Sequence, residues 1–93
     1  MTSAIQRLTI AGLLTTLRNH LFLAREQKNH DELEKLFAAF ILIGDAAIEL
    51  EDEIIIELAE TLEGVAQGAL EEGDWKRKLP SEKDMQKLLA EHQ

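Results

Sequence analysis

The chain contains no cysteine, a single proline, and no lysine or arginine anywhere between residues 36 and 75. The missing cysteine removes disulfides, thiol catalysis and cysteine-ligated zinc or iron–sulfur sites together. Positive charge is scarce as well: ten Lys and Arg against eighteen Asp and Glu leave a formal net charge of −8, which disfavours direct nucleic-acid binding by phosphate neutralisation. Long apolar runs are also lacking. The longest, Leu36 to Ile43, has eight residues, far short of the roughly 20 that span a bilayer, so no membrane association is expected. The first twenty residues carry Arg7, Arg18 and His20 in an amphipathic pattern without a signal-peptide cleavage site, which points to a cytoplasmic protein.

What is present fits one small globular domain: 93 residues, of which 45% are hydrophobic and 30% charged. A monomer of this length buries only about 60–68% of its unfolded surface, so a partner or second copy would stabilise it. Apolar residues recur at helical spacing from the start. Thr2 or Ser3 caps a first helix over 3–27 with the stripe Ile10, Leu14, Leu17, Leu21 and Ala24. Ile5, Leu8, Leu13 and Phe22 widen that stripe, His20 faces it as a partly buried histidine, and Arg7, Arg18 and Arg25 lie elsewhere on the surface. Asn29 and Asp31 signal a turn and a new N-cap.

Beyond Asp31 one stripe continues through Leu36, Phe40, Ile43, Ala47, Leu50, Ile54, Leu58, Leu62, Val65 and Ala69 without a phase slip. A single helix of that length would reach about 60 Å, so a turn is expected. Gly44–Asp45 is one candidate position. The acidic cluster Glu51, Asp52 and Glu53 is preferred, because acids favour a helix N-terminus. Helices over 31–50 and 53–71 follow. Gly73 ends the third, residues 74–79 form a linker, and Pro80 with the Ser81/Asp84 capping pair starts a short helix over 82–91 whose apolar face is Met85, Leu88 and Leu89. The expected fold is an all-α bundle of three main helices plus a short C-terminal one. Residues 1–72 form its core, and 73–93 a linker and helix that pack on the core or on a partner.

Leu36 to Ile43 and Ile54 to Leu58 are apolar on every side, and a helix without a polar face must be enclosed. Phe37, Phe40, Ile41, Ile54 and Ile55 are therefore expected to line a homodimer interface; the competing reading is a four-helix monomer that buries them itself. Gly64 and Gly68 either admit a neighbouring helix or fray the helix end.

The acids are unevenly placed. Residues 1–35 carry five basic and four acidic groups, 36–75 none and eleven, and 76–93 five and three. Glu49, Glu53, Glu57 and Glu60 follow one another at steps of four, four and three, a spacing that destabilises an isolated helix by a few tenths of a kcal/mol per pair. With Trp75 as an anchor they form the candidate surface for a protein partner that is itself basic, such as the nucleic-acid channel of a DNA- or RNA-handling protein. The bland alternative is that these carboxylates only keep an apolar helix in solution. A non-enzymatic adaptor or inhibitor is the function expected, and a subunit or assembly chaperone capping a partner's hydrophobic surface is the runner-up.

Catalytic equipment is sparse. No Glu stands three residues before His20, His30 or His92, so di-iron ligation lacks its motif. Glu53, Glu57 and Glu60 without an oxygen-rich loop would hold a hard cation poorly. Phosphate-binding and dinucleotide glycine patterns and a nucleophile elbow are absent, and no cofactor or metal is expected. Arg25 and His30 form Arg-x4-His in a helical chain, which is similar to the catalytic signature of HEPN-type ribonucleases. That resemblance implies a helical fold and RNA cleavage by this pair, although here the motif crosses a predicted helix end. Lys76, Arg77 and Lys78 beside Trp75 are expected to fold back on the chain's own carboxylates.

Overall fold

A computed structural model of the chain describes residues 4–91. Four helices make up the fold: α1 (Ala4–Glu26), α2 (His30–Glu49), α3 (Glu53–Glu72) and α4 (Glu82–Glu91), and no strand occurs among the described residues. The expected caps Thr2 and Ser3 lie outside that range.

Both inter-helix turns use one device. Asn29 N–H donates to Ala24 O and Lys28 N–H to Arg25 O; Asp52 N–H donates to Ala47 O and Glu51 N–H to Ile48 O. Each helix thus ends in a left-handed residue, Lys28 at φ 51° and Glu51 at φ 57°, and the next residue caps the following helix. The Asn29 side chain accepts from Glu32 N–H and that of Asp52 from Ile55 N–H, both at 3.2 Å. Asn29, not Asp31, is therefore the cap of α2. Left-handed backbone strains a residue that has a Cβ, so Glu51→Gly is expected to stabilise the protein by about 1 kcal/mol in urea denaturation. Gly73→Ala, at φ 64°, is expected to destabilise it by a similar amount.

Helix α2 runs through Gly44, which faces Ala59 Cβ at 3.9 Å from where its own Cβ would stand. Helices α2 and α3 are the most extensively packed pair, with α1 lying across both and α4 against α1 and α3. The stripe read from the sequence is the core: Leu14 and Leu21, Leu36 and Phe40, Leu58 and Leu62 are all buried, and Met85 and Leu89 close it from α4.

Two sets of residues differ from expectation. Phe40 and Ile55 are 1% and 0% exposed, and Phe37 and Ile54 are half-buried against that core. Phe40 and Ile55 are therefore enclosed within the single chain, while Phe37 and Ile54 keep part of their surface open to solvent. Of the five proposed interface residues Ile41 alone is exposed, and the large apolar side chains that α2 leaves to solvent are Ile41, Leu42 and Ile48.

On α1 the roles are reversed. Ile5, Leu8, Leu13 and Phe22 are exposed, as is His20, while Arg7, Arg18 and Arg25 are half-buried. Steps of eleven and seven residues put the three arginines on one face, and all three grip the C-terminal third of the chain. Arg7 pairs with Asp52 and donates to Leu89 O at 3.2 Å. Arg18 Nε donates to Pro80 O at 2.7 Å, and Arg25 to Arg77 O. Ser81 Oγ accepts from Asp84 N–H at 3.0 Å, as its capping role requires. Leu88, expected on the inner face of α4, is 41% exposed.

Candidate functional site

The outward side of α3 carries Glu53, Glu57 and Glu60, all exposed, opposite the buried Ile55, Leu58 and Leu62. At 1.5 Å per residue the three carboxylates span about 10 Å. Glu49 is exposed too, but it is the last residue of α2. The turn at 50–52 separates it from the other three, so the expected four-carboxylate stripe belongs to two helices.

Arg7–Asp52 is the only ion pair among the described residues. Among the described residues none offers Glu49, Glu53, Glu57 or Glu60 a cationic partner within salt-bridge distance. Their surroundings add to the imbalance: α2 ends on Glu49 and α3 on Glu71 and Glu72, with no basic residue in either last turn. Acids at the negative end of a helix dipole are unfavourable by about 0.3–1 kcal/mol each.

The acidic row stops at Gly64, four residues beyond Glu60. There the Arg77 guanidinium crosses α3, lying 3.6 Å from where a Gly64 Cβ would stand and 3.5 Å from that of Gly68, and it donates to Gly64 O at 3.1 Å. Of the basic tract Arg77 is the residue shown to fold back, and it does so onto a carbonyl rather than the expected carboxylate. The glycine pair admits an arginine side chain, not a neighbouring helix. Nothing in the local sequence announces this contact, which joins residues thirteen apart across the end of a helix.

Trp75 lies elsewhere. It is half-buried, its ring meets His30 edge-on at 5.7 Å and 87°, and Lys28 Nζ stands 5.6 Å from its centroid. These neighbours belong to the α1–α2 turn, at the opposite end of α3 from Glu53. Trp75 thus holds the linker against the bundle and is not part of one site with Glu53, Glu57 and Glu60.

Arg25 closes α1 with its guanidinium on Arg77 O, and His30 opens α2 against Trp75. The three-residue turn between them breaks the helical register that the Arg-x4-His spacing would have inside one helix. Among the described residues no group of three His, Asp or Glu is placed to hold a metal ion. Among the described residues no helix is long and apolar enough to cross a membrane.

No protein family, curated protein or solved structure matches the chain.

Proposed function

We propose that this protein is a non-enzymatic adaptor or inhibitor that docks a basic protein surface on the outward side of α3, through Glu53, Glu57 and Glu60, with Glu49 contributing from the end of α2. One observation carries the reading: the 36–75 segment holds eleven carboxylates and no lysine or arginine, and among the described residues only its Asp52, inside the fold, is in an ion pair. Mixed charge is the usual composition of a surface that serves only solubility. A one-signed surface steers an oppositely charged partner and rejects like-charged ones.

The test uses a synthetic arginine- and lysine-rich peptide as the basic probe, titrated by calorimetry at low and at physiological salt. Binding is expected to weaken at least about tenfold over that range. The combined Glu53→Gln, Glu57→Gln and Glu60→Gln variant is expected to lose a comparable factor while keeping its stability within about 1 kcal/mol of the parent, since relief of like-charge spacing along α3 offsets the loss of the Glu53 charge from the helix N-terminus. Unchanged binding by that variant would assign the contact to another surface.

A further inference from the structure

A basic side chain of the protein itself lies on the outward face of α3. Glu53, Glu57 and Glu60 are followed on that face by Gly64, and Glu71 resumes the row about five full turns from Glu53. Over the gap stands the Arg77 guanidinium, its carbon 3.6 Å from where a Gly64 Cβ would be. Arg77 is exposed and in ion-pair contact with none of these carboxylates; what it reaches on α3 is Gly64 O, at 3.1 Å. The linker delivers it there. Gly73 turns the chain in the left-handed region, and Asp74 N–H donates to Gly68 O at 3.0 Å, so the linker runs back along the helix it has just left.

We infer that Arg77 is an autoinhibitory contact: it occupies the place on α3 that an arginine of the basic partner takes, and the partner displaces it to cover the whole face. The inference rests on the docking role proposed above and adds to it the identity of the partner side chain, an arginine rather than a lysine. Geometry argues first. Gly64 has no side chain to cover its carbonyl, so a planar guanidinium can lie along the helix with a donor on that oxygen, an arrangement that suits the fork of an arginine better than the point charge of a lysine. Charge argues second. The place lies between Glu60, one turn before it, and Glu71, two turns beyond, and that field attracts any cation, the partner's as well as the chain's own.

The way Arg77 is held makes it displaceable. Its main chain is fixed, because Arg77 O accepts from Arg25 and Trp75 is seated between His30 and Lys28. Its guanidinium is held to α3 by one exposed hydrogen bond, worth a factor of about three to ten. The side chain can therefore swing off α3 by rotation about its own bonds while the linker stays in place, and a partner bringing several cations to the row overcomes a barrier of that size. Lys78, exposed one residue on, carries the same charge in the same linker and serves as the comparison.

Calorimetric titration of the full chain at physiological salt tests this with two synthetic peptides of equal length and charge, one of arginine and glycine, the other of lysine and glycine. Arg77→Ala is expected to bind the arginine peptide about three- to tenfold more tightly than the parent does, and the lysine peptide less than about twofold more tightly, because the vacated place suits a guanidinium. Arg77→Lys keeps the charge and loses the fork, and should show part of the same gain. Lys78→Ala removes an equal charge without touching α3, so its gain should stay below about twofold with either peptide. All three variants should melt as the parent does, since both side chains are exposed and the carbonyl that Arg25 grips is main chain. A gain that Lys78→Ala matches, a gain equal for both peptides, or no gain at all would overturn the inference and leave the docking face standing. Failure of either peptide to bind the parent or any variant would remove the docking reading itself, and this inference with it.

Discussion

Phe40→Ala is expected to lose about 3–5 kcal/mol of stability, the range for truncating a buried phenylalanine. For a chain of this length total stability is on the order of 5–14 kcal/mol, so the variant should show a large fall in urea midpoint or fail to fold cooperatively. The side chain is 1% exposed at the centre of α2 and among the largest of the fully buried side chains. Its removal leaves a void between α2, α3 and α1 that rigid helices fill only in part. The outcome separates two readings of an apolar helix. As an interface residue, Phe40 would change the state of association and leave the monomer's stability nearly intact. As a core residue it does the reverse. Ile41→Ala is the control one position along, exposed at 38%, and should cost well under 1 kcal/mol.

Asp52→Ala carries the second large effect. This one side chain caps α3 by accepting from Ile55 N–H and pairs with Arg7, with only 5% of it exposed against 16% of Arg7. Loss of a cap costs about 1 kcal/mol, and leaving a largely buried guanidinium without its carboxylate adds to that, since breaking a buried pair costs about 3–5 kcal/mol. Full loss of both would come to about 4–6 kcal/mol, but the Arg7 side chain, 16% exposed, is free to swing toward solvent, so about 2–4 kcal/mol is expected from chemical denaturation. Asp52→Asn retains the cap and loses only the charge, so it should fall between the parent and alanine. Arg7 also holds Leu89 O. Hydrogen exchange in α4 should therefore rise in both variants more than exchange in the α2–α3 seam, and equal loss everywhere would mean that the pair does not serve α4.

Helix number and the core stripe were legible because burial follows the 3.6-residue period: Leu14, Leu21, Leu36, Leu58 and Leu62 lie where their spacing puts them. The α2–α3 turn was legible from its acids, although its left-handed residue is Glu51 rather than a glycine, which is why Gly44 competed for it. What periodicity could not supply was the direction each widened stripe faces. Ile5, Leu8 and Leu13 look like core on α1, and Arg7, Arg18 and Arg25 look like surface. The arginines are drawn inward because the linker and α4 present carbonyls and Asp52 for them to bind, partners between 45 and 82 residues away in sequence. The candidate site divides on the same ground. Glu53, Glu57 and Glu60 share a face because they share a helix, and Glu49 sits just across the 50–52 turn at the end of α2, whereas Trp75 was joined to them without a shared element, and chain reversal at Gly73 sends it to His30 and Lys28.

The measurement that bears most directly on the acidic face is a titration of isotopically labelled protein with the arginine- and lysine-rich peptide, followed by amide chemical shifts. The account predicts shifts concentrated at residues 49–60, reversed by added salt. Shifts centred on the outer face of α1, or on the Trp75 linker with residues 49–60 unmoved, would contradict it.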